Sequence, residues 1–298
     1  MANTPKTKVS NARALNIASL ALAGDFAKLG KLRIPGKATL TWGWAFRKFM
    51  AWLVGGMKGK TPFTLIAKKG NKKLPFYAFS SLPKFDCPGA GDCLKFCYSF
   101  KAWRYPCAFF RQLQNSLLLR SNAGRELIKK EWLKIPTGKT VRLFVDGDFA
   151  NLEILRFFMN LCKLRGDLKV YGYSKSWDLF LQLEGEGYTF PSNYKLNLSS
   201  GSIYGEEKRG EMEGLAITRG GFHAVPVDKK WIAMKSYQDK GNPGSKEYRR
   251  EVLERLKEIT AGTGKKMFAC PGNCGNCMPN GKHACDALNA EIGIGVHG

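Results

Sequence analysis

Three short stretches of this chain follow one plan, and together they constrain its fold more than any other feature. VRLFV at 141–145 runs into Asp146-Gly147-Asp148, LKVYGY at 168–173 into Ser174-Lys175-Ser176, and YKLNL at 194–198 into Ser199-Ser200-Gly201-Ser202. Each apolar run is strand-like and each turn is small and polar, with helical stretches following at 152–164, 177–183 and 205–213. A helix between consecutive strands carries the chain back to its starting edge, so the strands are expected to lie parallel. Further strand-like runs at 76–82, 215–218, 224–227 and 266–269, and helical ones at 108–133 and 246–259, extend the plan. The expected fold is α/β, a TIM-like or partial (β/α) barrel. In such a barrel the functional groups gather at the carboxyl ends of the strands. All three polar turns would then share one face.

Two cysteine-rich segments belong to that face as well. The first, in the turn after the 76–82 strand, is C-x5-C-x3-C: Cys87, Cys93 and Cys97, with Cys107 ten residues beyond. The second follows the 266–269 strand and reads C-x3-C-x2-C-x7-C: Cys270, Cys274, Cys277 and Cys285. Thiolates converge on a metal most readily at short spacings through Gly and Pro, which both segments contain. Mixed short spacings favour an iron–sulfur cluster, one or two of the 4Fe–4S type, and C-x2-C knuckles leave zinc as the alternative. With three His in the chain a His-rich site is excluded, and His283 reads as a solvated loop residue. Cys162, alone on an expected helix, reads as a small core residue.

The charge is lopsided. Forty-eight Lys and Arg stand against 24 Asp and Glu, a formal net charge of +24. Residues 1–73 carry fifteen of the basic residues and a single acidic one, Asp25. A field of this sign attracts polyanions, nucleic acid first among them. This quarter reads as a basic, aromatic-rich helical arm (1–73) ahead of a barrel-like domain (74–298). Its helices are expected at 10–29 and 42–54. The second, WGWAFRKFMAWLV, either docks on a core through its rings or offers Trp44, Arg47 and Lys48 as a stacking platform for single-stranded bases. With Arg13, Lys31, Arg33, Lys68, Lys69, Lys72 and Lys73, these are the expected nucleic-acid contacts.

No secretory signal is legible, and the longest apolar stretch, 42–57, contains Arg47 and Lys48 and is too short to span a bilayer. No membrane partner is expected. The expected compartment is the cytoplasm, where thiols stay reduced and clustered cysteines mean metal instead of disulfides.

The succession Gly70-Asn71-Lys72-Lys73-Leu74, Cys87-Pro88-Gly89-Ala90 with Cys93 and Cys97-Tyr98, Gly147-Asp148-Phe149, Tyr173-Ser174-Lys175-Ser176 and Cys270-Pro271 resembles the phage and plasmid "gene product eighty-eight" proteins, over roughly residues 70–285. The resemblance implies a phage-type protein in the host cytoplasm, with phage polymerase or replication proteins as partners beside the nucleic acid. A more distant similarity is to radical S-adenosylmethionine (SAM) enzymes, partial barrels with cluster-binding cysteines in the loop after the first strand. Cys87, Cys93 and Cys97 occupy that place here. The usual C-x3-C-x2-C spacing occurs instead at Cys270, Cys274 and Cys277. This second resemblance implies SAM as a cofactor, with Asp146, Gly147, Ser200 and Ser202 binding it and Asp148 and Lys175 orienting cofactor or substrate.

Two functions are therefore expected in competition. One is an iron–sulfur protein that binds nucleic acid, single-stranded DNA or RNA, in transcription or replication. The other is a radical SAM-like enzyme that modifies a nucleic acid or nucleotide. A zinc-stapled nuclease holding magnesium on Asp146, Asp148 and Asp178 finds no familiar spacing to support it.

Overall fold

The first three helices are set by their caps. Ser10 accepts the Arg13 N–H to start α1 (Asn11–Leu22), Asp25 accepts the Lys28 N–H to start α2 (Phe26–Gly30), and Thr41 accepts the Trp44 N–H to start α3 (Trp42–Val54). The single helix expected at 10–29 is two, because Gly24 turns the chain at φ 72°, a conformation L residues avoid. The computed structural model describes residues 9–68, 75–228, 230, 243–260, 263–272 and 284–296. Helix α3 docks: Trp42, Phe46, Phe49 and Trp52 are buried, and the Trp42 ring lies 5.0 Å from Phe109 and 5.5 Å from Phe110. Each such side chain contributes about 1.5–3 kcal/mol of burial. Helices α1 to α3 thus share one continuous core with the helices that flank the sheet.

Seven strands form one sheet, every adjacent pair parallel: β1 (Tyr77–Ala78), β2 (Thr140–Leu143), β3 (Lys169–Ser174), β4 (Tyr194–Ser199), β5 (Thr218–Pro226), β6 (Lys266–Ala269) and β7 (Ala290–Val296). Between them lie α4 (Ser99–Ala102), α5 (Pro106–Leu119), α6 (Asn122–Leu133), α7 (Leu152–Leu164), α8 (Trp177–Gly185), α9 (Glu206–Gly214) and α10 (Pro243–Ile259). The α/β class and the parallel pairing follow the sequence pattern. The order does not follow sequential winding, since it runs β1-β2-β3-β4-β5-β7-β6.

Four expected elements differ for local reasons. The 76–82 run yields only Tyr77–Ala78. After Phe79 N–H bonds the Arg142 carbonyl, Ser81 turns to Asp146, and the Leu82 N–H goes to the Asp86 carboxylate and the Ser116 hydroxyl. The helix expected at 108–133 breaks at Arg120, where Ser121 caps α6 and Gly124 lies so close to the Leu118 backbone that a Cβ would overlap it. The two strands expected at 215–218 and 224–227 are the single β5. Its Gly220-Gly221 is no turn; it lets the strand approach the Ala290 carbonyl and the Glu291 side chain without a Cβ in the way. Finally β7, AEIGIGV, has glycines where side chains would mark a strand and went unread.

The sheet's two faces separate cleanly by period-two alternation. Val141, Leu143, Val170, Tyr194, Leu196 and Leu198 point into the main core under the helices, and α10 covers Val225 through Tyr248, Val252 and Leu256. The other face gathers Phe76, Tyr171, Tyr173, Phe222, Phe268, Ile292, Cys270 and Cys285 into one cluster. On the helix side between β5 and β7 the fully buried Glu291 meets His223 Nε2 at 2.5 Å, Arg209 Nη2 at 3.0 Å and Lys265 Nζ at 3.3 Å. Glu213 joins the same Arg209 and Lys265 at 3.1 and 2.6 Å. Burial by itself would raise the Glu291 carboxyl, but the His223 bond and the Arg209 and Lys265 charges outweigh it and hold it at about 2. Among the described residues no helix is long and apolar enough to cross a membrane.

Candidate functional site

Residues 83–98 leave β1 and fold over the carboxyl ends of β3 and β4, and backbone holds them there. Gly91 N–H and Cys93 N–H both donate to the Gly201 carbonyl, at 3.0 and 3.2 Å, and Ile203 N–H returns to the Gly89 carbonyl at 3.1 Å. Glycine is required at the contacts: a Cβ on Gly89 would overlap the Lys175 carbonyl, and one on Gly201, itself at φ 74°, would press on Cys93. Ser202, expected to bind a cofactor, donates instead to the Gly89 and Lys175 carbonyls at 3.2 and 3.3 Å. Ser200 accepts the Ala224 N–H at 2.9 Å and so ties β4 to β5.

The other side of the loop is tied to α5. This helix buries Gln112, Gln114, Asn115 and Ser116. Gln114 pairs with both backbone groups of Phe63 at 3.0 and 2.9 Å, and Asn115 donates to the Leu65 and Ser80 carbonyls at 3.0 and 2.8 Å. The buried Asp86, immediately before the first cysteine, accepts from Ser116 and, at 2.7 Å, from Arg120. Asp86 and this ladder were not singled out in the sequence. A polar Gln-x-Gln-Asn-Ser run inside an apolar helix is the signal that points to them, because buried polar groups need partners.

Asp148 and Lys175 come together as expected. Asp148 is buried and its carboxylate is fully occupied: Oδ1 accepts from Phe149 N–H and Ser174 Oγ, and Oδ2 from Lys175 N–H, each at 2.8 Å. It therefore fixes the turn after β3; the N-cap of α7 is Asn151. Burial raises its carboxyl despite these bonds. Lys175 extends its ammonium to Ser199 Oγ at 2.7 Å. Asp146 bonds Ser99, Ser80 and Gln112, with its carboxyl likewise raised by burial. Gly147, at φ 79°, lies against Ser81. Asp178 pairs with Lys208.

The thiols face this polar group. Burial raises Cys87, an effect that Asp148 reinforces and Lys175 opposes; burial likewise raises Cys93, where Lys175 opposes and Cys97 reinforces. In the second segment, the Cys285 sulfur lies 2.6 Å from the Tyr173 hydroxyl, the Cys285 carbonyl accepts from Asn197 at 3.1 Å, and Cys270 follows β6 in the same aromatic cluster. Cys274 and Cys277 lie outside the described residues, as does His283. The thiols have the soft donor chemistry of iron–sulfur and zinc sites. Among the described residues no group of three or more His, Cys, Asp or Glu side chains converges in ligand geometry.

The basic arm forms one surface. Arg13 donates to the Arg33 carbonyl and Arg47 to the Gly36 and Lys37 carbonyls, so the linker between α2 and α3 is clamped from α1 and α3. Lys31, Arg33, Lys37, Arg47 and Lys48 are exposed on it, as is Lys68 further on. Among the rings of α3 Trp44 is half-buried, with Lys48 Nζ 4.6 Å above it, while Trp42, Phe46, Phe49 and Trp52 are core. Lys69, Lys72 and Lys73 lie outside the described residues.

A family model described as gene product 88 matches residues 52–287, which takes in both cysteine segments and every polar turn and leaves out α1, α2 and most of α3. No curated protein and no solved structure matches the chain.

Proposed function

The chain belongs to the gene product 88 family, and from that premise we propose that it binds single-stranded nucleic acid through its basic amino-terminal surface, beside a cysteine centre that holds an iron–sulfur cluster. The observation that carries the reading is the clamped linker. Arg13 and Arg47 donate to linker carbonyls, which fixes the backbone that carries Lys31, Arg33 and Lys37, with Lys48 on the adjoining α3. A fixed array of cations neutralises phosphates without first losing much side-chain and backbone freedom. The test is the salt dependence of affinity for a labelled single-stranded oligonucleotide. The logarithm of the association constant should fall by about 0.7 per neutralised phosphate for each tenfold rise in salt. A flat response removes the proposal.

Cys87, Cys93 and Cys97 in the first segment and Cys270, Cys274, Cys277 and Cys285 in the second would hold one cluster or two. When bound, it would supply either a rigid staple or one-electron chemistry. Iron and acid-labile sulfide in roughly equal amounts, about four each per cluster, are expected on anaerobically purified protein. Zinc without sulfide would substitute the zinc alternative. We also read the sheet as curled into a partial barrel, since its inner cluster draws together Phe76 beside β1 and Phe268 on β6 from opposite ends of the strand order.

A radical SAM-like enzyme is the second reading, favoured by Lys175 and Ser199 standing beside Cys87 and Cys93 at the strand ends. It requires 5′-deoxyadenosine to form when reduced protein is given SAM.

A further inference from the structure

The amino end of α5 was not part of the expected nucleic-acid surface, yet its residues carry the same chemistry. Tyr105 is 51% exposed, and the Arg104 guanidinium lies 4.9 Å over its ring. Trp44 under Lys48 repeats the arrangement on α3, with 4.6 Å from ammonium to ring. The two pairs belong to one neighbourhood. Trp42 packs on Phe109 and Phe110, which joins the start of α3 to the second turn of α5, and the Cys107 thiol feels the charges of both Lys48 and Arg111. Arg111, near the same thiol and Asp146, is half-buried, with its Nε enclosed and, among the described residues, without a hydrogen-bond partner. Its charge adds to the cationic field of Lys48 and Arg104 at this surface. A ring face covered only by a mobile cation gives way to a nucleobase, which stacks more extensively.

We propose that the surface where α3 meets the amino end of α5 is a track for single-stranded nucleic acid, on which Trp44 and Tyr105 stack bases and Lys48, Arg104 and Arg111 hold phosphates. This deepens the nucleic-acid reading and rests on it. Single strands fit the track because a duplex keeps its base faces stacked inside, where neither ring reaches them. The track also brings the strand past the loop that carries Cys87, Cys93 and Cys97, since α4 and Tyr105 continue directly from that loop.

The test is fluorescence anisotropy with a labelled oligo-dT strand and a duplex of equal length, over a salt series, on the full chain. Tyr105→Ala should weaken strand binding by about 5- to 100-fold and leave the salt slope unchanged, while Tyr105→Phe restores affinity. Arg104→Ala and Arg111→Ala should each lower the salt slope by about one phosphate's worth. Lys257→Ala, on α10 at the other end of the sheet, should change neither. Strand binding that persists unchanged in Tyr105→Ala, Arg104→Ala and Arg111→Ala overturns the track while the nucleic-acid reading stands. Duplex bound as tightly as the strand also overturns it. Absence of any salt-dependent binding by the unmodified protein overturns the nucleic-acid reading itself.

Discussion

Gly89 touches the Lys175 carbonyl so closely that no side chain fits, and this contact, beside the backbone bonds to Gly201 and Ile203, seats the cysteine loop on the turn after β3. Backbone cannot yield as a flexible side-chain tip does. Gly89→Ala should therefore lift the loop, and the rate at which Cys87 and Cys93 react with a disulfide reagent should rise several-fold at a given pH; an unchanged rate would mean the loop is held elsewhere. Glu291 makes a different prediction, through protons. Its carboxyl is held at about 2 against an ordinary 4.5. A depressed carboxyl contributes stability that is present above the unfolded value and lost as the pH falls from about 4.5 toward 2. In Glu291→Gln the urea midpoint should be lower at neutral pH, because Arg209 and Lys265 lose their counter-charge, and the decline across that acid window should flatten. Equal slopes in both proteins would assign the acid sensitivity to other groups. Neither residue stood out in the sequence. A glycine in a Pro-Gly-Ala-Gly loop looks like an ordinary turn former, and Glu291 is separated from Arg209 by 82 positions and from His223 by 68. Contacts at that range leave no periodic trace.

At the scale of elements, the sequence was read best where a helix or strand keeps one period. Helices α3 and α7 and strands β3, β4 and β6 were legible from their apolar pattern, and the glycines, prolines and polar turns marked where they stop. It was read worst where polar residues act inside the fold. The pattern at 108–133 showed a helix and no more, although Gln112, Gln114, Asn115 and Ser116 on α5 hold three separate stretches of backbone or loop. Asn115→Ala would orphan the Leu65 and Ser80 carbonyls, at a cost of about 1–3 kcal/mol. Trp42→Ala should cost more, about 3–5 kcal/mol, because it opens a cavity against Phe109 and Phe110. Chemical unfolding measures both. A Trp42→Ala protein as stable as the original would show that α3 is an appendage and its rings are free for ligands.

At the scale of the molecule, the placement of the candidate site was legible before its bonding was. Polar turns after parallel strands must emerge at one edge, so the meeting of Asp148, Lys175 and the first cysteine loop follows from the alternation of strands and helices. Which serine Lys175 bonds does not, and Ser199, not Ser200 or Ser202, is its partner. Nor does the order of the last strands. Strand β7 enters between β5 and β6, so among the described residues β6 has β7 as its one neighbour in the sheet order. During synthesis β6 emerges more than twenty residues ahead of the one strand it can pair with. The nascent chain can fold its amino-terminal side early, but β6 and Cys270 beside it wait at an unfinished edge until residues 290–296 arrive and pair with them. Cys270 therefore reaches its place in the fold only once this strand has formed beside it.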